Sequence, residues 1–578
     1  MNVPRRKTLP STSADPKPVH DRRGRDLAIA LWLGLALFFF YLLSTSAHQP
    51  TGDEEEYIAV AASLITTGSP AVTKVEPIAN GRNQVVKTYF KYPLGHSLML
   101  LPIVSLQMIA DRLMSIAFGF VPHLVLNAFP ALLSAAMSAL VFLLITASGR
   151  AHPELSVSRL TAALIALATG LATQLWPASR TFFADNSVAL LLTLAIYALV
   201  KFRHESAGIG WAVLSAGAAA MMVFCKTLLI VACPALAAYG LWVASEQVKS
   251  GRLAKRSLKK LGILSALPFF VLVAVQLWHN DVRYGSIWVS GYHEGRDGSF
   301  GFATPIWVGL YGIFFSSGRS FFLYSPLCLL GLLGAREFHK HAPAEFFLTL
   351  GVSVPVILTY AMWWSWHGGW EWGTRFYIFL IPLLMWISVT AWRWIDRTDL
   401  SAKARRIRLI LLAALVAVSL FVQLLGNLIH PIAYWRMTGS DLRVLEHPMY
   451  QKGDWEIRDD MPFAHFVPEF SPIAAHAWLI WATWNRHTLG EQALANRAPW
   501  TSLNPKWVPT HVKDYLGYDV WFIGDWVKPW LGRGGSLTSL VLVAIALAIL
   551  SAFSVRKLLL FFRQPDFPAM PISHSRKK

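Results

Sequence analysis

The 578-residue chain is 54% hydrophobic and 15% charged, carries a formal net charge of +19, and has a mean hydropathy of +0.44. Soluble domains carry roughly 25% charged residues, so this composition excludes a soluble globular protein and points to a polytopic helical membrane protein. The positive excess calls for no nucleic-acid partner. It is mostly the signal that retains loops in the cytoplasm, together with attraction to anionic inner-leaflet lipids.

A basic tail, residues 1–26, contains Arg5, Arg6, Lys7, Lys17, Arg22, Arg23 and Arg25. Twelve apolar stretches that can span hydrocarbon follow: 27–47, 124–147, 159–175, 186–202, 209–224, 227–244, 261–278, 321–335, 344–363, 376–392, 408–427 and 536–553. The first runs straight into acidic sequence without a small-residue cleavage site and is expected to stay as an anchor. The apolar run from Gly95 to Met114 is interrupted by Pro102, Asp111 and Arg112, and reads as helices lying along the outer surface.

With the N-terminus inside, the basic clusters fall on one side. They are Lys249, Arg252, Lys255, Arg256, Lys259 and Lys260; then Arg393, Arg397, Lys403, Arg405, Arg406 and Arg408; and finally Arg556, Lys557, Arg563, Arg576, Lys577 and Lys578. Cytoplasmic loops are enriched in Lys and Arg, so both termini are expected inside a plasma (inner) membrane. The expected fold is an all-α bundle of about twelve spans. Residues 1–26 form the tail, 27–427 the core, 428–535 a long periplasmic loop, and 536–578 the last span with a second basic tail. Cys225, Cys233 and Cys328 lie in or beside apolar stretches, a scatter that fits packing better than a disulfide framework or a zinc cluster.

Four outer segments hold the unusual sequence: 48–123, 176–185, 279–320 with 364–375, and 428–535. The inner loops are short and basic, with no Gly-rich phosphate cradle. In "TGDEEEY" (51–57), Asp53, Glu54 and Tyr57 fall on one side of a helix that starts near the membrane surface. Acids at a helix start are also favoured by the macrodipole, so a solvated helix end is the competing reading. Further on, "KYPL" (91–94) places Lys91 and Tyr92 before Pro93, which biases the preceding residue toward an extended conformation.

An acidic D-E-x-x-Y after the first span, followed by K-[YP]-P-L, resembles the multi-spanning GT-C glycosyltransferases. The aminoarabinose transferases and protein O-mannosyltransferases belong to that superfamily. "SRTFFADN" (179–186), "FCKTLLIV" (224–231), "GLYGIFFSSGRSFFLYSPLCLLGLLG" (309–334) and "GGWEWGTRFYIFLIPLL" (368–384) are similar to bacterial members, in order, from about residue 27 to 430. The resemblance implies a GT-C-type bundle, a polyprenyl-phosphate-linked sugar donor, and a hydroxyl acceptor that is a lipid, glycan or protein. It also implies an active site on the outer face. Such transfer needs a base for the acceptor proton, negative charge near an oxocarbenium-like centre, and cations for the departing phosphate.

The candidate base is Asp53, with Glu54 as a weaker neighbour; Glu55 and Glu56 are expected to face solvent. Asp185 resembles the second acidic position of the superfamily, or else caps a helix. Tyr57, Lys91, Tyr92, Arg180, Lys226, Arg319 and Arg375 are the candidate substrate-binding residues. Interfacial snorkelling is the other reading for Lys91, Arg375 and Lys226, and helix capping for Arg319. His367 with Glu371, or His96 with Glu55 or Glu56, could hold a metal, but no metal-binding spacing supports them and no essential metal or other cofactor is expected. Trp478, Trp481 and Trp484 in "HAWLIWATW" fit an interfacial helix better than a sugar platform. A transporter or lipid flippase is the rival class, and a non-catalytic envelope scaffold a second. Transporters bind near the bilayer midplane, whereas these acids lie at span exits.

Overall fold

A computed structural model describes residues 19–46, 52–77, 83–117, 124–205, 208–292, 301–369, 371–395, 401–438, 462–505, 507–509, 511–522 and 536–563. Of the basic residues named above, Arg5, Arg6, Lys7, Lys17, Arg397, Arg576, Lys577 and Lys578 lie outside these segments. The fold is all-α apart from one small hairpin.

Helix α1 (Val19–Leu43) leads to α2 (Asp53–Thr67), strands β1 (Val72–Pro77) and β2 (Asn83–Thr88), α3 (Gly95–Ala117), α4 (Leu124–Ala151) and α5 (Arg159–Leu171). A single turn, α6 (Leu175–Ala178), precedes α7 (Ala184–His204), α8 (Gly210–Cys225), α9 (Cys233–Lys249), α10 (Ser257–Tyr284) and α11 (Ile306–Phe315). Then come α12 (Phe321–Tyr324), α13 (Leu329–His341), α14 (Pro343–Ala361), α15 (Leu380–Ile387), α16 (Val389–Ile395), α17 (Ala402–Leu428) and α18 (Pro431–Arg436). The last elements are α19 (Pro462–Phe466), α20 (Pro472–Asn485), α21 (Glu491–Ala495) and α22 (Leu537–Arg563).

Each of the twelve expected stretches is helical, but they are not twelve equivalent spans. Among the described residues, 8 helices are long and apolar enough to cross a membrane: α1, α4, α7, α9 with its leading 3-10 turn, α10, α14, α17 and α22. The chain is therefore a multi-pass membrane protein. Shorter apolar helices are α5, α8, α11 and the α15–α16 pair. The stretch 321–335 is broken at Ser325, because Pro326 disfavours helical backbone in the residue before it. Segment 279–320, expected on the outer side with no apolar stretch of its own, contains the apolar helix α11. Segment 48–123 contains, besides the expected surface helices, an antiparallel hairpin that pairs Val72 with Thr88. Its β-branched residues favour extended backbone.

Lipid explains the outward faces of the bundle. Helix α10 exposes Leu267, Phe270, Val271 and Trp278, and α22 exposes Leu542, Ile545 and Ile549. Apolar surface on this scale is stable only in hydrocarbon. The polar helix ends sort into two groups, as alternating spans require. At one end, Asp26 of α1 pairs with Arg150 of α4 and Arg159 of α5, while Glu205 after α7 pairs with Arg23 and Lys201. At the other end, Asp53 at the start of α2 and Phe183 before α7 meet Arg375, and Lys226 after α8 meets Phe376.

A second core lies over that latter end. Tyr434, Trp435, Phe470, Trp478, Leu479 and Trp500 bury one another, with Phe470 stacked on Trp500 at 5.3 Å. Trp478 is thus a core residue, not an interfacial one; only Trp484 of the three is largely exposed, at 79%. The layer is tied to the bundle by α20 packing on α17 and by Arg180 bonded to Asp519.

Candidate active site

Helix α2 begins at Gly52, whose φ of 58° suits glycine. Its helical period turns Glu54, Tyr57, Val60 and Ala61 inward and leaves Glu55 exposed. Asp53 sits at the rim. Its Oδ2 lies 3.2 Å from Arg375 Nη2, and the Tyr92 hydroxyl donates to the same carboxylate. Burial pushes the Asp53 carboxyl up, but Arg375, Tyr92 and Lys91 outweigh burial and hold it below the ordinary carboxylate range. Asp53 is therefore an anion at neutral pH.

Arg375 is placed by the turn before it. Gly368, Gly369 and Gly373 adopt φ of 82°, 78° and 71°, which other residues rarely tolerate. A Cβ at Gly373 would approach Gln174 Nε2 to 2.4 Å. The Arg375 guanidinium lies 3.8 Å over the Phe183 ring, and its buried Nε has no hydrogen-bond partner. Burial alone would lower the Arg375 pKa, but Asp53, Asp185 and Glu371 raise it above its usual value.

A second pair lies alongside. Lys226 Nζ is 2.5 Å from Asp185 Oδ1. Lys226 follows α8 in extended backbone, and its ammonium sits 4.2 Å over Phe376 and 5.2 Å over Tyr360. Burial pulls Lys226 below the ordinary lysine value against the opposing pull of Asp185. Asp185 occupies the first turn of α7 behind Phe183 and faces Lys226. The Tyr57 ring lies between Tyr92, tilted against it at 4.8 Å, and His96, edge-on at 4.7 Å, and walls this region. The Tyr57, Tyr92 and Tyr292 hydroxyls are all raised, first by burial and then by the surrounding groups, Asp53 among them.

The remaining sequence candidates divide. Lys91 is exposed, 5.2 Å over the Tyr92 ring and within electrostatic reach of Asp53 and Glu56. Glu54 is buried and accepts from the Phe182 amide at 2.5 Å, which ties α2 to the start of α7. Arg180 is spent on the chain itself, donating to the Asn427 carbonyl and to Asp519. Arg319 is fully buried and donates to the carbonyls of Gly369, Glu371 and Gly373, the turn that presents Arg375. Arg180 and Arg319 thus support the site from behind instead of lining it.

The two metal pairs considered from the sequence have other partners. His96 Nε2 faces the Phe182 carbonyl at 2.7 Å and Nδ1 faces Ser187 Oγ at 3.1 Å. Burial pulls His96 down to about 4. His367 Nδ1 accepts from the Gly369 amide, and its ring stacks on His465 at 4.4 Å.

Sequence reasoning missed two groups. Glu371 is pushed up to about 7 by burial, against Arg375, Arg319 and Arg180. It was weighed only as a metal partner, although its place four residues before Arg375 was a usable signal. Tyr292 lies within reach of both Asp53 and Asp185, and nothing in its local sequence marks it. A small cleft beside α2 shares Tyr57 and Tyr92 with this region and is also lined by Glu56, Phe90, Ser97 and His279.

No protein-family model matches the chain, and no curated protein matches it in sequence. Among solved structures, it is similar to ArnT from Cupriavidus metallidurans bound to undecaprenyl phosphate. The two are 14% identical over 82% of each chain, with a TM-score of 0.44. It is also similar to the oligosaccharyltransferase of Archaeoglobus fulgidus in the apo form, at 12% identity and a TM-score of 0.43. That match covers 75% of this chain but only 59% of the archaeal one. At these identities and scores the likeness assigns neither substrate nor residues.

Proposed function

We propose that the chain is a membrane glycosyltransferase that moves a sugar from a polyprenyl-phosphate carrier to a hydroxyl acceptor at the outer membrane surface. The observation that carries this reading is the two carboxylate–cation pairs, Asp53–Arg375 and Asp185–Lys226, side by side at one end of an apolar bundle. A carrier that cannot leave the bilayer must be met there.

In the proposed reaction Asp53 takes the acceptor O–H proton. The acceptor oxygen forms a bond to the anomeric carbon as the bond from that carbon to the phosphate oxygen breaks. The electron pair leaves with the phosphate. Asp185 stabilises positive charge at the anomeric centre. Arg375, Lys226 and the exposed Lys91 receive the phosphate, for which charge-assisted hydrogen bonds are strong. Tyr57 and Tyr92 form the wall, and no metal is invoked. Both termini lie in the cytoplasm in this reading. The acceptor class, whether lipid, glycan or protein, is left open.

The test is mass spectrometry of envelope glycolipids and glycoproteins with and without the gene, paired with donor turnover by the purified protein in lipid nanodiscs. A sugar-bearing species should vanish, and polyprenyl-phosphate sugar should be consumed. Donor that crosses between leaflets intact would instead establish the flippase reading. Unchanged glycans with no donor turnover would end the glycosyltransferase reading.

A further inference from the structure

At the end of the bundle opposite the two aspartates, three helix ends bring together two histidines and a glutamate that the proposed transfer does not use. His152 follows α4, His204 closes α7, and Glu345 lies in the first turn of α14. Glu345 is 1% exposed. Its Oε1 accepts from Arg203 Nη1 at 2.5 Å and from the Tyr239 hydroxyl at 3.0 Å, and lies 3.1 Å from His204 Nε2. Its Oε2 is 3.7 Å from His152 Nε2, beyond hydrogen-bond reach, and both atoms are buried without a hydrogen-bond partner. Each such atom carries an unrecovered desolvation penalty unless something bonds to it.

We propose that His152, His204 and Glu345 form a site for a divalent transition-metal ion of the Zn²⁺ class. Among the described residues they are the one such grouping, with ligand atoms all within 4.8 Å of one another. A tetrahedral ion with bonds of about 2.0–2.2 Å holds its ligand atoms roughly 3.4 Å apart. The 3.7 Å between His152 Nε2 and Glu345 Oε2 is near that spacing, and His204 Nε2 lies 3.1 Å from Oε1 of the same carboxylate. Two imidazoles and one carboxylate suit zinc and its first-row neighbours, not magnesium or calcium, which prefer oxygen.

Two further features favour a cation. His152 and His204 sit at the C-terminal ends of α4 and α7, where the helix dipoles are negative. Arg203 and Tyr239 bond the other carboxylate oxygen, orienting Glu345 so that Oε2 points at His152, as outer-shell partners of metal ligands do. The Arg203 charge also moderates affinity, so an exchangeable ion is expected. Bound there, the ion cross-links α4, α7 and α14 on the face that the topology places in the cytoplasm. The proposal stands apart from the transfer reaction and does not depend on it.

The test uses the full chain in detergent, stripped with chelator. Zn²⁺ titrated calorimetrically should bind at about one equivalent, and Co²⁺ should give visible ligand-field bands of a nitrogen-ligated ion. His152→Gln keeps the Glu345–Arg203 pair and should still fold; it and His204→Gln should each weaken Zn²⁺ binding at least about tenfold. His341→Gln, which removes a half-buried histidine paired with Glu337, should leave binding unchanged. Equal affinity in His152→Gln and the wild type, or Co²⁺ without ligand-field bands, would overturn the site.

Discussion

Asp53→Asn separates the structural role of this carboxylate from its proposed chemical one. The change keeps size and polarity, removes the basic oxygen, and cancels the charge facing Arg375. At 3.2 Å the Asp53–Arg375 pair has roughly 5 kcal/mol of gross attraction at an effective dielectric of about 20. Solvent reaches Asp53, whose side chain is 35% exposed, and desolvation offsets most of the rest. A net stability loss of about 1 kcal/mol is therefore expected, leaving a folded protein to assay. The loss of rate should be larger. A positioned base contributes roughly 10²–10⁴-fold, or about 3–5 kcal/mol of barrier. Donor turnover would be compared in purified wild type and Asp53→Asn at matched folded yield, with Glu55→Gln and Asp185→Asn alongside. Glu55 is exposed, so its substitution should be mild. Because Asp53 is held below the ordinary carboxylate range, protonation of the base should not limit the rate at or above neutral pH. If Asp53→Asn keeps more than about a third of wild-type turnover, a general base there is refuted and the role passes to Asp185.

Arg375→Ala and Lys226→Ala should each weaken donor binding at similar folded yield, and unchanged affinity in both would remove them from the phosphate site. Arg319→Lys cannot reproduce the fork to three carbonyls, so it should lose one or two charge-assisted bonds, about 2–4 kcal/mol. An unchanged melting temperature would show that the 368–375 turn does not depend on it. Glu371 titrates at about 7 in the fold against 4.5 without it. Between those values the unfolded chain has released its proton while the folded one keeps it. Stability should therefore fall as pH rises through this window and level off above it. Glu371→Gln should flatten that part of the profile, and an identical slope in the variant would assign it to another group. Reporters inserted after Gly251 and at exposed Gly490 should read opposite sides of the membrane; the same side for both would break the topology.

Hydropathy, read locally, marked twelve apolar stretches that are helical, because burial in lipid acts on each segment by itself, but it passed over the short apolar helix α11. It was not enough to say where a stretch would be straight. Pro326 breaks one, and α5 and α8 are short helices that depend on neighbours. Local motifs likewise singled out Asp53, Lys91, Asp185, Lys226 and Arg375. Which of them would meet was beyond the sequence, since the Asp53–Arg375 contact joins residues 322 positions apart. Nor could the sequence distinguish a lining arginine from a supporting one. Arg180 and Arg319 read like Arg375, yet they are consumed by Asp519 and by backbone carbonyls supplied from distant segments. Tyr292 and the His152–His204–Glu345 cluster have no local signature, and Glu371 has only its place four residues before Arg375. Their surroundings are set by helix packing, and an ionisable group takes its chemistry from burial and neighbours, which only the tertiary structure decides.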